Sequence, residues 1–138
     1  MEKENILILC TGNSARSQMA EAYFRKFGPK RFEPMSAGLE PRPINPLTIQ
    51  VMKEDGIDMS RKRSKRVKEF LGRVTFQAVI FVCEQAEKNC PSVFPFSMRR
   101  ISWPFEDPAV FKGSDDEMLE KFREVRDQIK EKVLDFVR

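Results

Sequence analysis

The sequence predicts an α/β fold: a parallel sheet with helices on both faces, in one domain spanning residues 1–138. Three observations carry this. Short strand-like runs alternate with amphipathic helical runs along the chain, the strongest strand-like run is apolar and β-branched, and no repeat, low-complexity segment or linker interrupts the alternation.

Asn5 to Leu9 reads as a short buried strand, followed by turn-rich Thr11 to Ser14. Ser17 to Phe27 reads as a helix with Met19, Ala20, Tyr23, Phe24 and Phe27 on one face, stopped by Gly28-Pro29. Arg31 to Met35 is a second strand, and Ser36-Ala37-Gly38 turns the chain. Pro41, Pro43 and Pro46 mark a loop, after which Asn45 caps a helix to about Glu54 that Asp55-Gly56 ends. Ser64 is placed to cap a short helix through Leu71. Val74 to Val82 is the strongest strand signal, and Arg99 to Ser102 is a further short strand. Ser114-x-x-Glu117 is a capping box opening a final helix with Met118, Phe122, Val125, Ile129, Val133 and Phe136 on its buried side.

Composition narrows the chemistry. With 138 residues, 41% hydrophobic and 33% charged, the chain reads as globular and needs no disulfide or metal staple. There is no histidine, which removes every Cys-His and Ser-His nucleophile pair and disfavours zinc. Met1-Glu2-Lys3-Glu4 followed by Ile6 to Leu9 is too short and acidic for a signal peptide, and the longest apolar stretch, Ala78 to Cys83, is far too short to span a membrane. The expectation is a cytoplasmic monomer. The net charge of +4 gathers at Arg61 to Lys68, but no nucleic-acid-binding motif accompanies that run, which reads as a solvated face. The three cysteines, Cys10, Cys83 and Cys90, are too few and odd in number for a disulfide framework. Their ordinary reading is as small buried hydrophobes.

Position argues otherwise for Cys10. Parallel sheets bind ligands at the carboxyl ends of strands, where both Cys10 and Cys83 fall. Cys10-Thr11-Gly12-Asn13-Ser14-Ala15-Arg16-Ser17 lies between the first strand and the first helix. Its backbone amides and the helix N-terminus can surround an oxyanion, with Thr11, Gly12, Asn13, Ser14, Ala15 and Arg16 as the binding residues. Gly12 and Asn13 tolerate the positive φ of a tight loop. Arg16 can fork onto two oxygens of a tetrahedral anion. The same field lowers the pKa of a cysteine thiol, so Cys10 is the expected nucleophile, and Ser17 can donate to its thiolate.

The Cys-Thr-Gly-Asn-Ser-Ala-Arg-Ser segment after an Ile-rich strand, together with Ser36-Ala37-Gly38 and Trp103-Pro104-Phe105-Glu106-Asp107-Pro108, resembles the low-molecular-weight protein tyrosine phosphatase superfamily over essentially the whole chain. The resemblance implies a three-layer fold built on a four-stranded parallel sheet with the Cys10 loop at its switch point. It also implies that Asp107 is the general acid, with Glu106 as the fallback; on its own, Asp107 reads as a turn aspartate before proline. Within that superfamily, Cys83-Glu84-Gln85-Ala86-Glu87-Lys88-Asn89-Cys90-Pro91 resembles the thioredoxin-coupled arsenate reductases. That implies a relay through Cys10, Cys83 and Cys90 that reduces arsenate to arsenite and is recharged by thioredoxin or a similar dithiol protein. No cofactor is implied. Some members hold a cation near the positions of Asn13, Glu21 and Ser36; here Lys65 stands where they carry an acid, so an ammonium can replace the ion and no metal is expected.

Neighbouring parallel strands lie about 4.8 Å apart, so Cys83 can reach Cys10 if the first and third strands are adjacent. Seven helical residues span about 10.5 Å, so a Cys83–Cys90 bond requires the segment between them to unwind. Two alternatives stand beside the reductase. One is a phosphatase using Cys10, Arg16 and Asp107 on phosphotyrosine or small phosphate esters, and the other is a non-enzymatic thiol redox sensor.

Overall fold

A computed structural model describes residues 2–70, 72–88 and 99–138. The strands are β1 (Glu4–Cys10), β2 (Phe32–Gly38), β3 (Ala78–Phe81) and β4 (Arg99–Ser102); the helices are α1 (Arg16–Phe27), α2 (Pro46–Glu54), α3 (Glu84–Lys88) and α4 (Asp115–Val137). All four strands are parallel, in the order β2-β1-β3-β4. Ile6, Leu7, Ile8 and Leu9 are all fully buried although successive side chains point to opposite faces, so both faces of the central strand are covered. Chain order reverses beside β1, which puts the switch point at its carboxyl end.

Local chemistry fixes most element ends. Asn45 accepts from the Leu47 amide at 2.9 Å and Pro46 opens α2. Ser114 and Glu117 form the reciprocal capping box at the start of α4. Phe122, Val125, Ile129 and Val133 of α4 are buried, with Met118 and Phe136 half-buried at its two ends. Phe136 meets Phe24, Phe32 and Trp103 edge-on or tilted, closing the core beside β2 and α1.

Three elements differ from their sequence reading. The β3 ladder begins at Ala78 rather than Val74: Ala78 pairs with Ile6, and just before it the Asn5 amide goes to the Gln77 side chain. The preceding residues are anchored by Asn5, which bonds Gln77 and the Thr75 carbonyl, while Val74 turns back to the Phe70 carbonyl. Strand β2 runs on to Gly38 because pairing with β1 continues to Cys10, so Ser36-Ala37-Gly38 is strand and not turn. Ser64 caps no helix: the turn that follows is a 3-10 turn over Val67–Glu69, opened by Arg66, whose amide donates to Glu69 at 2.9 Å. Leu71 lies outside the described residues.

Candidate active site

A cavity of about 770 Å³ opens at the carboxyl ends of β1 and β3. Thr11, Gly12, Ser14, Ala15 and Arg16 form one wall around Cys10; Cys83 and the start of α3 form another, and Pro104 to Asp107 with Ala109 and Val110 close the third. Cys10 ends β1, and Cys83 lies just beyond β3 on the adjacent strand. Both are free thiols and nearly inaccessible. Cys90 lies outside the described residues.

The loop after Cys10 is shaped from behind. Five consecutive carbonyls, those of Cys10, Thr11, Gly12, Asn13 and Ser14, accept from the amides of Leu39, Glu40 and Arg42, the hydroxyl of Ser64, and the amide of Asn45, at 2.8–3.2 Å. Thr48 adds a hydroxyl to the Ser14 carbonyl, and Ser64 also bonds the Arg42 carbonyl. Among the described residues, the amides of Thr11 to Ala15 donate to no other backbone group, which leaves them available to an anion. No side chain caps the first turn of α1, whose N-cap is Ala15, so its N–H groups and their partial positive charge remain available to an anion.

Asn13 and Ser17 lie behind this wall, not on it, and both are fully buried. Asn13 has φ 53°, the left-handed conformation expected of it, whereas Gly12 does not use positive φ. The Asn13 side chain fills all its bonding capacity: it donates to Ser17 Oγ at 2.7 Å and Ser36 Oγ at 3.0 Å, and accepts from Gln18 at 2.9 Å and the Lys65 amide at 2.8 Å. Ser17 Oγ thus accepts from Asn13 and keeps its own proton to give. Ser36 donates to Glu21 at 2.7 Å, and Lys65 Nζ sits 3.5 Å from Glu21. Burial pulls the Lys65 pKa down, against the pull of Glu21. Gly38 is required where β2 passes under the loop, since a Cβ there would meet the Thr11 oxygen at 2.6 Å. Gln18, Ser64 and the 39–45 amides escape sequence reading, because their contribution is made by backbone contact or by ordinary polar residues; Gly38 was visible only as a motif member.

Arg16 opens α1 and reaches across to the third wall, donating to the Phe105 carbonyl at 3.1 Å and lying 3.4 Å from Asp107 Oδ2. Asp107 also accepts from the Ala109 amide at 3.0 Å, so it caps its turn and faces the cavity at once. The wall continues β4 alongside β3: the Trp103 amide bonds the Phe81 carbonyl and the Phe105 amide bonds that of Val82. Trp103 then stacks on Phe24, which anchors the Asp107 loop to the core.

The two thiols influence one another, and their pKa values are driven in opposite directions. Cys83 is pulled down. The neighbouring Cys10 thiol, then the Thr11 hydroxyl at 3.5 Å, the Ala86 amide at 3.4 Å and the charge of Arg16 bring its pKa to about 5 despite burial. Cys10 is pushed up, first by the neighbouring Cys83 thiol and then by burial, with Arg16 and the Gly12 amide opposing. Arg16 itself is held by Asp107 and the Phe105 carbonyl.

A family model described as low molecular weight phosphotyrosine protein phosphatase matches residues 5–138. The chain belongs to that family. It is 39% identical over 137 residues to an arsenate reductase of Halalkalibacterium halodurans, with 99% of this chain and 96% of the relative covered. It is 36% identical to an arsenate reductase of Bacillus subtilis, with 99% and 96% covered. A solved arsenate reductase in a phosphate-binding state superposes with a TM-score of 0.80 at 33% identity, covering 97% of this chain and 96% of the other. The four-stranded parallel sheet is the fold of this family. Among the described residues, no helix is long and apolar enough to cross a membrane.

Proposed function

We propose that this chain is an arsenate reductase, acting as a single cytoplasmic domain and regenerated by thioredoxin or a similar dithiol protein. One observation carries the reading: two free thiols, Cys10 and Cys83, meet at one oxyanion-shaped cavity. A phosphatase needs only the first. Full-length similarity to arsenate reductases supports the same choice.

Arsenate sits against the amides of Thr11 to Ala15, and Arg16 turns from Asp107 onto its oxygens. The Cys10 proton passes to the Cys83 thiolate across the cavity they share, and the Cys10 thiolate attacks arsenic. One As–O bond breaks, and Asp107 protonates the departing oxygen, which leaves as water. Cys83 then attacks the Cys10 sulfur. The S–S bond forms, the S–As bond breaks with its electron pair going to arsenic, and the Cys83 proton goes to an arsenite oxygen. Two thiols are oxidised and As(V) becomes As(III), so electrons balance. Cys90 then attacks Cys83 and releases Cys10. The external dithiol reduces the Cys83–Cys90 bond by exchange, and the Glu84 to Asn89 segment unwinds to let that bond form. Ser17 donates to the Cys10 sulfur when it leaves as thiolate.

No metal enters this scheme. The Lys65 ammonium beside Glu21 supplies the positive charge behind the cradle, and a cation added there would meet a like charge. The phosphatase reading keeps a foothold because Arg16 and Asp107 already face one another across the cavity, so weak hydrolysis of phosphate esters is expected. Arsenate-dependent NADPH oxidation with thioredoxin and its reductase tests the main reading. Turnover that yields arsenite supports it. Binding without turnover favours the redox-sensor alternative, and ester hydrolysis alone favours the phosphatase.

A further inference from the structure

We propose that Arg42 is a specificity-determining residue at the cavity mouth, a second guanidinium that draws doubly charged tetrahedral oxyanions onto the cradle. The assignment rests on the cradle's being an oxyanion site, and deepens that reading by naming what recruits the anion before Arg16 turns to grip it.

Arg42 lies outside the Cys10–Arg16 segment, yet it lines the same cavity. Its backbone is fixed on both sides: the amide donates to the Gly12 carbonyl at 2.9 Å, and the carbonyl accepts from Ser64. Its stem lies along the loop, with Cδ and Cγ at 3.7 and 3.8 Å from where a Gly12 Cβ would stand. The stem thus runs beside Gly12 along the cradle, and Arg42 lines the mouth of the cavity.

The two cavity arginines differ in what holds them. Arg16 is engaged by Asp107 and the Phe105 carbonyl. Among the described residues, no carboxylate lies within ion-pair distance of Arg42, and no acceptor takes a hydrogen bond from its guanidinium. An exposed arginine is most often a solvated one. Here it is pinned at its backbone, packed along its stem and unpaired at its head beside an anion cavity. An approaching dianion meets this free fork before it competes with Asp107 for Arg16, and the attraction grows with the anion's charge and falls as salt screens the open mouth.

The test is calorimetric titration of inorganic phosphate into the reduced full-length chain at low ionic strength, with Arg42→Gln, Arg42→Lys and, as a control for overall charge, Arg61→Gln. Arg42→Gln is expected to weaken phosphate binding about fivefold. Arg42→Lys should stay within about twofold of the parent, as should Arg61→Gln. Raising salt from about 0.02 to about 0.5 M should shrink the Arg42→Gln deficit toward unity. With arsenate turnover, KM should rise by the same factor while kcat holds. Equal phosphate affinity in Arg42→Gln and the parent overturns the assignment. So does a loss that Arg61→Gln reproduces, or one that Arg42→Lys shares in full, since that marks packing of the stem and not charge. Phosphate binding that depends on Arg42 without arsenite production upholds the assignment while removing the reductase reading. No phosphate binding by the parent removes the cradle and the assignment together.

Discussion

The cradle after β1 and the short helix after β3 spring from neighbouring strands of one sheet, yet they are held in opposite ways. The cradle is braced by five carbonyl contacts from behind, by the saturated Asn13 side chain and by the close passage of Gly38. Helix α3 has five residues and one fully buried side chain, Ala86; the Cys83 sulfur accepts from its third amide, and Ser102 donates to Glu87 at 2.7 Å. A helix that short has little stability of its own. The contrast fits a division of labour. Under the proposed relay, the first thiol is presented to a bound anion in a fixed geometry, whereas the second leaves its place to meet another sulfur.

The largest test removes the second thiol from the comparison. Cys83→Ser should cut arsenite production by about a thousandfold or more while phosphate affinity stays within about twofold; a variant that still turns over would collapse the distinction between the two regions. Next comes the brace. Gly38→Ala forces a Cβ into the Thr11 carbonyl, so thermal or urea unfolding should show a loss of about 1–3 kcal/mol, with phosphate binding lost in parallel. An unchanged stability would mean that the cradle yields as easily as α3.

The pH dependence of alkylation sharpens the comparison at the sulfurs. A thiolate with a pKa of about 5 exists above that pH and is lost as pH falls through it. Iodoacetamide should therefore modify a cavity thiol at pH 6, with the rate falling off near pH 5, and peptide mapping should place the adduct on Cys83. Thr11→Val removes one donor to that sulfur and should slow the reaction at pH 6 by about threefold to tenfold. The smallest expected effect is Ala86→Gly. It should weaken α3 by about 1 kcal/mol, leave phosphate affinity unchanged and speed formation of the Cys83–Cys90 disulfide after single turnover with arsenate. A slower disulfide would show that the helix assists the exchange and does not merely hold the thiol until it.

The legible parts of the molecule are those written in local chemistry. Asn45-Pro46 and Ser114-x-x-Glu117 announce helix starts because a side chain caps a backbone three or fewer residues away. The convergence of Cys10 and Cys83 is legible because strand ends share one edge of a parallel sheet. What stays hidden is long-range. The start of β3 is set by where its pairing with β1 begins, at Ala78 opposite Ile6, and not by the apolar run from Val74. Ser64 looks like a helix cap and instead closes the back of the cradle, 51 residues from Asn13. The carbonyl contacts of residues 39–45 are made by amides, which every residue but proline carries, so no side-chain pattern encodes them. The contacts of Arg16 with Asp107 and the Phe105 carbonyl, 91 and 89 residues away, likewise have no sequence signature.

The backing of the Cys10 loop has a consequence for selectivity. Donors already aimed inward before any guest arrives cannot tell one tetrahedral oxyanion from another by shape, so phosphate, far commoner than arsenate in a cell, will compete for the same place. Discrimination then falls to the stage after binding. Arsenic(V) accepts the electron pair released when sulfur joins sulfur, and phosphorus(V) does not. A chain that cannot refuse the wrong guest at the door can still decline to transform it, and inhibition by phosphate becomes the cost of a preformed receptor.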